Sequence, residues 1–102
     1  MSATLHQLLK TMTEMGGTDL HLSTNSAPQV RVDGKLRVLE HSPLTATDTK
    51  QLSYSVLTDA QKHRFEENLE LDFSFGIKGL ARFRANVFMQ RGAVGAVYRT
   101  IP

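Results

Sequence analysis

Leu80-Ala81-Arg82-Phe83-Arg84-Ala85-Asn86-Val87-Phe88-Met89-Gln90-Arg91-Gly92-Ala93-Val94-Gly95-Ala96-Val97-Tyr98-Arg99-Thr100-Ile101 has the pattern of two strands around a tight turn. Phe83, Ala85, Val87 and Met89 alternate with Arg82, Arg84 and Asn86, the period of a strand with one apolar face. Arg91-Gly92 supplies a turn, and Ala93 to Ile101 returns as a second strand. A register centred on that turn sets Arg84 directly across from Arg99 and Asn86 across from Val97. A slip of one residue would send Arg99 to the other face.

Outward from this hairpin the same period continues upstream. Leu71, Phe73, Phe75 and Ile77 alternate with Asp72, Ser74, Gly76 and Lys78, and Gly76 and Gly79 bracket the turn that follows. Two short helices precede that strand. Thr45 is an N-cap with Asp48 three residues on, and Thr58-Asp59-Ala60-Gln61 is a Thr-x-x-Gln capping box. Leu52 and Val56 should mark the buried side of the first helix, and Phe65 and Leu69 that of the second. Further back, Asp33-Gly34 joins the strands Gln29 to Val32 and Lys35 to Leu39. Asp19 to Ser23 forms another short strand, with Leu20 and Leu22 on one side. Leu5, Leu8, Leu9, Met12 and Met15 keep helical spacing up to the Gly16-Gly17 stop. The order α-β-β-β-α-α-β-β-β predicts one α+β domain with an antiparallel sheet.

Length and composition agree. The 102 residues suit a single core, and 40% hydrophobic with 22% charged residues is ordinary globular usage. With no cysteine, the chain has no disulfide, thiolate metal site or cysteine nucleophile. No apolar run reaches the roughly 18 residues of a membrane span, and no signal-peptide pattern opens the chain, so the default expectation is cytoplasmic.

The net charge of +2 hides an asymmetry. Residues 1–72 carry 7 Lys+Arg against 10 Asp+Glu, whereas residues 73–102 carry Lys78, Arg82, Arg84, Arg91 and Arg99 and no acid. Two readings are open. Solvation, or pairing with the acidic cluster Glu66, Glu67, Glu70 and Asp72, would neutralise these groups. Alternatively Arg84 and Arg99, opposed at about 5 Å between Cβ atoms, await an anion such as a phosphate or carboxylate.

Other chemistry finds less support. Asp19, His21 and Ser23 share a strand face, but no oxyanion hole or cleft accompanies them, and Asp19 and His21 are expected to hold the strand to its neighbours by hydrogen bonds. The histidines at positions 6, 21, 41 and 63 lack ligand spacing, so no metal site is expected. Lys78-Gly79-Leu80-Ala81-Arg82-Phe83 begins like an RNA-recognition motif, yet Leu80 and Arg82 stand where stacking aromatics belong. No nucleic-acid partner is expected. GxxxxGK[ST], GxGxxG and GxSxG are all missing, so this polypeptide alone is not expected to hydrolyse nucleotide.

Several segments taken together resemble a known family. They are Gly16-Gly17-Thr18-Asp19-Leu20-His21-Leu22-Ser23, Pro28-Gln29-Val30-Arg31-Val32-Asp33-Gly34, Phe65-Glu66-Glu67 and Leu71-Asp72-Phe73-Ser74-Phe75. Gly79-Leu80-Ala81-Arg82-Phe83-Arg84-Ala85-Asn86, Arg91-Gly92-Ala93 and Tyr98-Arg99-Thr100-Ile101-Pro102 extend the likeness over essentially the whole chain. The chain resembles the N-terminal region of the PilT-like secretion ATPases, which power retraction of type IV pili and twitching motility.

That resemblance implies a PAS-like domain spanning residues 1–102, an antiparallel sheet flanked by three helices. It also implies a RecA-like ATPase domain that this chain lacks. In the family, six subunits form a cytoplasmic ring beneath the inner-membrane platform of the pilus machine. ATP, with Mg²⁺, lies between the two domains, and neighbouring subunits meet there. By position, Arg84 and Arg99 correspond to arginines that reach the ATP phosphates, and Arg82 and Arg91 are further candidates for the nucleotide or the subunit interface. No cofactor is expected for the isolated domain. A free-standing PAS-like ligand sensor and a docking module for an acidic protein are the alternatives.

Overall fold

A computed structural model describes residues 3–102. The order is α1 (Leu5–Glu14), β1 (Asp19–Leu22), β2 (Gln29–Val32), β3 (Lys35–Val38), α2 (Ala46–Tyr54), α3 (Asp59–Asn68), β4 (Glu70–Ile77), β5 (Ala81–Gln90) and β6 (Ala93–Ile101). The six strands form one antiparallel sheet in the order β3-β2-β1-β6-β5-β4. This is the expected α+β, PAS-like arrangement with three helices.

Local chemistry sets the ends of these elements. All three helices open with a reciprocal capping box, Thr4 with Gln7, Thr45 with Asp48 and Thr58 with Gln61. Each satisfies two backbone donors that the first turn leaves free. α1 closes in a Schellman motif. Gly16, at φ 70°, donates to the Thr13 carbonyl at 3.1 Å, and Gly17 donates to that of Met12 at 2.8 Å. Asp33-Gly34 and Arg91-Gly92 both have positive φ at each central residue, the turn whose twist matches a two-residue hairpin.

One face of the sheet carries Leu20, Leu22, Val30, Phe83, Ala85, Val87, Ala96 and Tyr98, all essentially inaccessible to solvent. α1 packs on it at β1, α2 at β6 and α3 at β4. Leu5, Leu8, Leu9 and Met12 of α1, with Phe65 of α3, complete the same core.

Two helix faces differ from the sequence reading. α2 buries Thr49, Leu52 and Ser53, while Val56 lies past its end and is only half-buried. The small hydroxyl of Thr49 is tolerated inside because it donates back to the Ala46 carbonyl at 3.1 Å. Leu69 is not on the buried face of α3. It is the left-handed C-cap at φ 59°, 54% exposed, where the chain must reverse into β4. The helical period formally includes Leu69, but the chain leaves the helix one residue earlier.

Candidate functional site

The face of the sheet opposite the helices carries the charges. Pairing across five strands aligns Ser74 of β4, Arg84 of β5, Arg99 of β6, Asp19 of β1 and Arg31 of β2 in a single row. The expected opposition of Arg84 and Arg99 is therefore present, as is that of Asn86 and Val97. Side chains so placed share a face and stand about 5 Å apart at Cβ.

Asp19 is the buried centre of the row. Its side chain is 8% exposed, and its Oδ2 accepts a hydrogen bond from Nη2 of Arg99 at 3.3 Å. Nε of Arg31 and Nε2 of His21 each stand 4.0 Å from the same oxygen. Burial disfavours the ionised carboxyl. Hydrogen bonds from the Arg99 and Thr18 side chains and the charges of Arg99 and His21 outweigh it, holding Asp19 below the usual carboxylate range. His21 is pushed below the ordinary imidazole value, first by burial and then by the charges of Arg31 and Arg99, with Asp19 opposing.

The remaining arginines differ from Arg99. Among the described residues, Arg82, Arg84 and Arg91 have no carboxylate within 4 Å. The acidic cluster does not neutralise them. Asp72 and Glu70 instead accept from the Asn86 amide at 3.2 and 3.4 Å, because Asn86 is the direct cross-strand partner of Asp72. The Arg82 side chain lies over Gly76, where the missing Cβ leaves room for it. Arg91 sits in the hairpin turn, seven residues along β5 from Arg84, or about 23 Å. Arg82, Arg84 and Arg99 thus share one end of the open face, and Arg91 does not join them.

A depression of 190 Å³ is lined by Arg84 and Arg99 together with Asp72, Asn86 and Val97. A second, of 380 Å³, adjoins it between Arg84, Ser74 and Ile101. Both are shallow enough to receive a group presented by another surface. Two larger hollows, beside α1 and between α2 and α3, contain no arginine.

The donor set suits an oxyanion rather than a cation. Among the described residues no three His, Asp or Glu side chains gather to hold a metal ion, and Asp19 is already engaged by Arg99. The Mg²⁺ implied for the longer protein finds no ligand set on this face. No helix among the described residues is long and apolar enough to cross a membrane.

The sequence reading missed the link between Asp19 and Arg99, and also the place of Arg31 in the row. It correctly made Asp19 a hydrogen-bonding tie to a neighbouring strand. His21 is different: its buried Nε2 has no hydrogen-bond partner among the described residues.

A six-stranded antiparallel sheet, with helices over one face and an arginine row on the other, defines a small α+β domain with a basic sheet surface. No family model matches the chain. Individual relatives do. It is 46% identical over 94% of its length to the type IV pilus retraction ATPase PilT of Pseudomonas aeruginosa. It is 35% identical over 93% to the type IV pilus ATPase PilU of the same organism, and 39% identical over 74% to a twitching motility protein of Neisseria gonorrhoeae. The chain spans 28%, 25% and 20% of the lengths of these three proteins. The crystal structure of the pilus retraction motor PilT with bound ADP superposes with a TM-score of 0.92 at 42% identity, covering 99% of this chain and 30% of that one. The Legionella pneumophila ATPase DotB shares the fold alone, with a TM-score of 0.80 at 19% identity over 98% of this chain and 30% of that one. Over almost its whole length the chain is similar to a part of the PilT-type pilus ATPases, in sequence and in fold.

Proposed function

We propose that residues 1–102 act as the N-terminal domain of a hexameric type IV pilus retraction ATPase, in which Arg84 and Arg99 face the phosphates of bound ATP. The observation that carries this reading is the directly opposed Arg84 and Arg99 pair on an uncovered sheet face. Arg84 there has no carboxylate partner among the described residues. Two like charges side by side repel unless an anion lies over them, and planar guanidinium forks match phosphate oxygens. The ADP in the PilT relative supports a nucleotide as that anion.

In this role the chain supplies charge and geometry. A RecA-like domain, of the same or a neighbouring subunit, would hold the nucleotide and its Mg²⁺, which would supply further positive charge there. Arg84 and Arg99 meet negative charge that spreads over the transferring phosphoryl oxygens, and arginines so placed contribute about 10³–10⁵ in rate. Loss of the γ-phosphate removes part of the attraction, so this domain shifts against its neighbour with each hydrolysis. Arg82 serves the same face, and Arg91, remote from it, serves a subunit interface. The assembly works at the cytoplasmic side of the inner membrane, against the pilus platform protein, and takes no nucleic acid. The 102-residue chain alone does not hydrolyse ATP.

In the complete protein, Arg84→Ala and Arg99→Ala should each lower kcat for ATP by about 10³-fold or more, with the hexamer intact by light scattering. Wild-type turnover in both variants overturns the reading.

A further inference from the structure

We infer that Asp19 is the positioning residue of the phosphate site: its buried carboxylate fixes the Arg99 guanidinium beside Arg84. This rests on the nucleotide reading of Arg84 and Arg99 given above. Asp19 and Arg99 are direct partners in the β1–β6 ladder, and Arg99 and Arg84 are direct partners in the β5–β6 ladder. The carboxylate therefore stands on the far side of Arg99 from Arg84. It engages Nη2 of Arg99 at 3.3 Å and leaves the other guanidinium nitrogens without a carboxylate among the described residues.

The two members of the pair are unequal. The Arg99 side chain is 69% exposed yet tied at one end to a group that is 8% exposed. An exposed arginine without such a tie samples many rotamers, and ordering it on a ligand costs conformational entropy. Arg84 lacks the tie. Asp19 also lies between Arg99 and Arg31 in the row, so it separates two guanidinium groups that would otherwise compete for the same anion. The charge left at the open end of the row, from Arg84 and Arg99, is then directed to one place. Asp19 does not touch the phosphate; it acts through Arg99.

A carboxylate that only ties β1 to β6 would behave differently, and the test separates the two. In the complete protein, Asp19→Asn keeps the shape and one acceptor but removes the charge. Positioning predicts that kcat falls by about tenfold to about 100-fold, the range for a displaced catalytic contact, with KM for ATP changed much less. It also predicts that Asp19→Asn adds little further loss once Arg99 is alanine. Wild-type kcat in folded Asp19→Asn, alongside a loss in Arg99→Ala, overturns the positioning role and leaves the nucleotide reading standing. Wild-type kcat in Arg99→Ala alone overturns the positioning role, and wild-type kcat in both Arg84→Ala and Arg99→Ala overturns the reading itself.

A measurement on the unsubstituted protein covers a variant that does not fold. Side-chain NMR reports rotation of each guanidinium about its Cζ–N bonds. Slow rotation at Arg99 and fast rotation at Arg84, without nucleotide, is the expected result. Equally fast rotation at both overturns the inference.

Discussion

Strands β5 and β6 show the same backbone under two opposite sets of rules. On the covered face Phe83, Ala85, Val87, Ala96 and Tyr98 exclude water almost completely. On the open face the same ladder carries Arg82, Arg84, Asn86, Val97 and Arg99. Burial of the first set drives the hairpin onto the helices, each large side chain contributing a few kcal/mol, about 1.5–3 by transfer. The second set contributes little to folding, and its opposed arginines oppose it mildly. Chemistry on the open face can therefore be set by what the protein binds, while the covered face keeps the geometry fixed.

The sharpest way to break that contrast is to substitute across it. Phe83→Ala should cost about 3–5 kcal/mol, read as a fall in the urea midpoint. Arg84→Ala, one residue along, should stay within about 0.5 kcal/mol of wild type. Equal losses at the two positions would mean that the open face is structural after all.

A smaller effect comes from pH, and near neutrality it comes from the open face. His21 titrates below its ordinary value of 6.5 in the folded chain. Its contribution to stability is thus complete above about pH 6.5 and declines as pH falls toward the folded value, because the unfolded state takes up the proton first. Asp19 titrates below 3.8 when folded, so its contribution persists above about that pH and is lost as pH falls through the folded value. Between about pH 7.5 and about pH 5 the decline belongs to His21. Denaturation at both pH values should show it in the wild type and not in His21→Gln. The same decline in both proteins would sink the assignment.

The smallest expected effect lies at the core of the covered face. The Tyr98 hydroxyl is buried with no hydrogen-bond partner among the described residues, and burial pushes its pKa strongly up despite the neighbouring Ser53 hydroxyl. Tyr98→Phe removes an unpaired polar atom and keeps the ring. Its urea midpoint should match or slightly exceed the wild-type value. A loss of more than about 1 kcal/mol would show that the hydroxyl is paired.

Much of this was written locally. Arg91-Gly92 and Asp33-Gly34 fixed two hairpins because a two-residue turn specifies its own register. Thr45 and Thr58 marked two helix starts because capping is a three-residue affair. Leu69 was misread because periodicity records which residues could share a face, not where the chain leaves the helix. The place of Asp19 beside Arg99 was not legible at all, since the two lie 80 residues apart.

The elements, their order and the opposition of Arg84 to Arg99 are thus legible in the sequence, all being consequences of contacts within a turn or a hairpin. The insertion of β1 beside β6, with Leu20 against Tyr98 and Leu22 against Ala96, is a choice of the folded sheet. That choice is made by burying apolar side chains from distant segments, which no local period encodes. It carries Asp19 with it. The arginine pair was visible in the sequence, whereas the carboxylate that holds one of its members appears only once the sheet has closed.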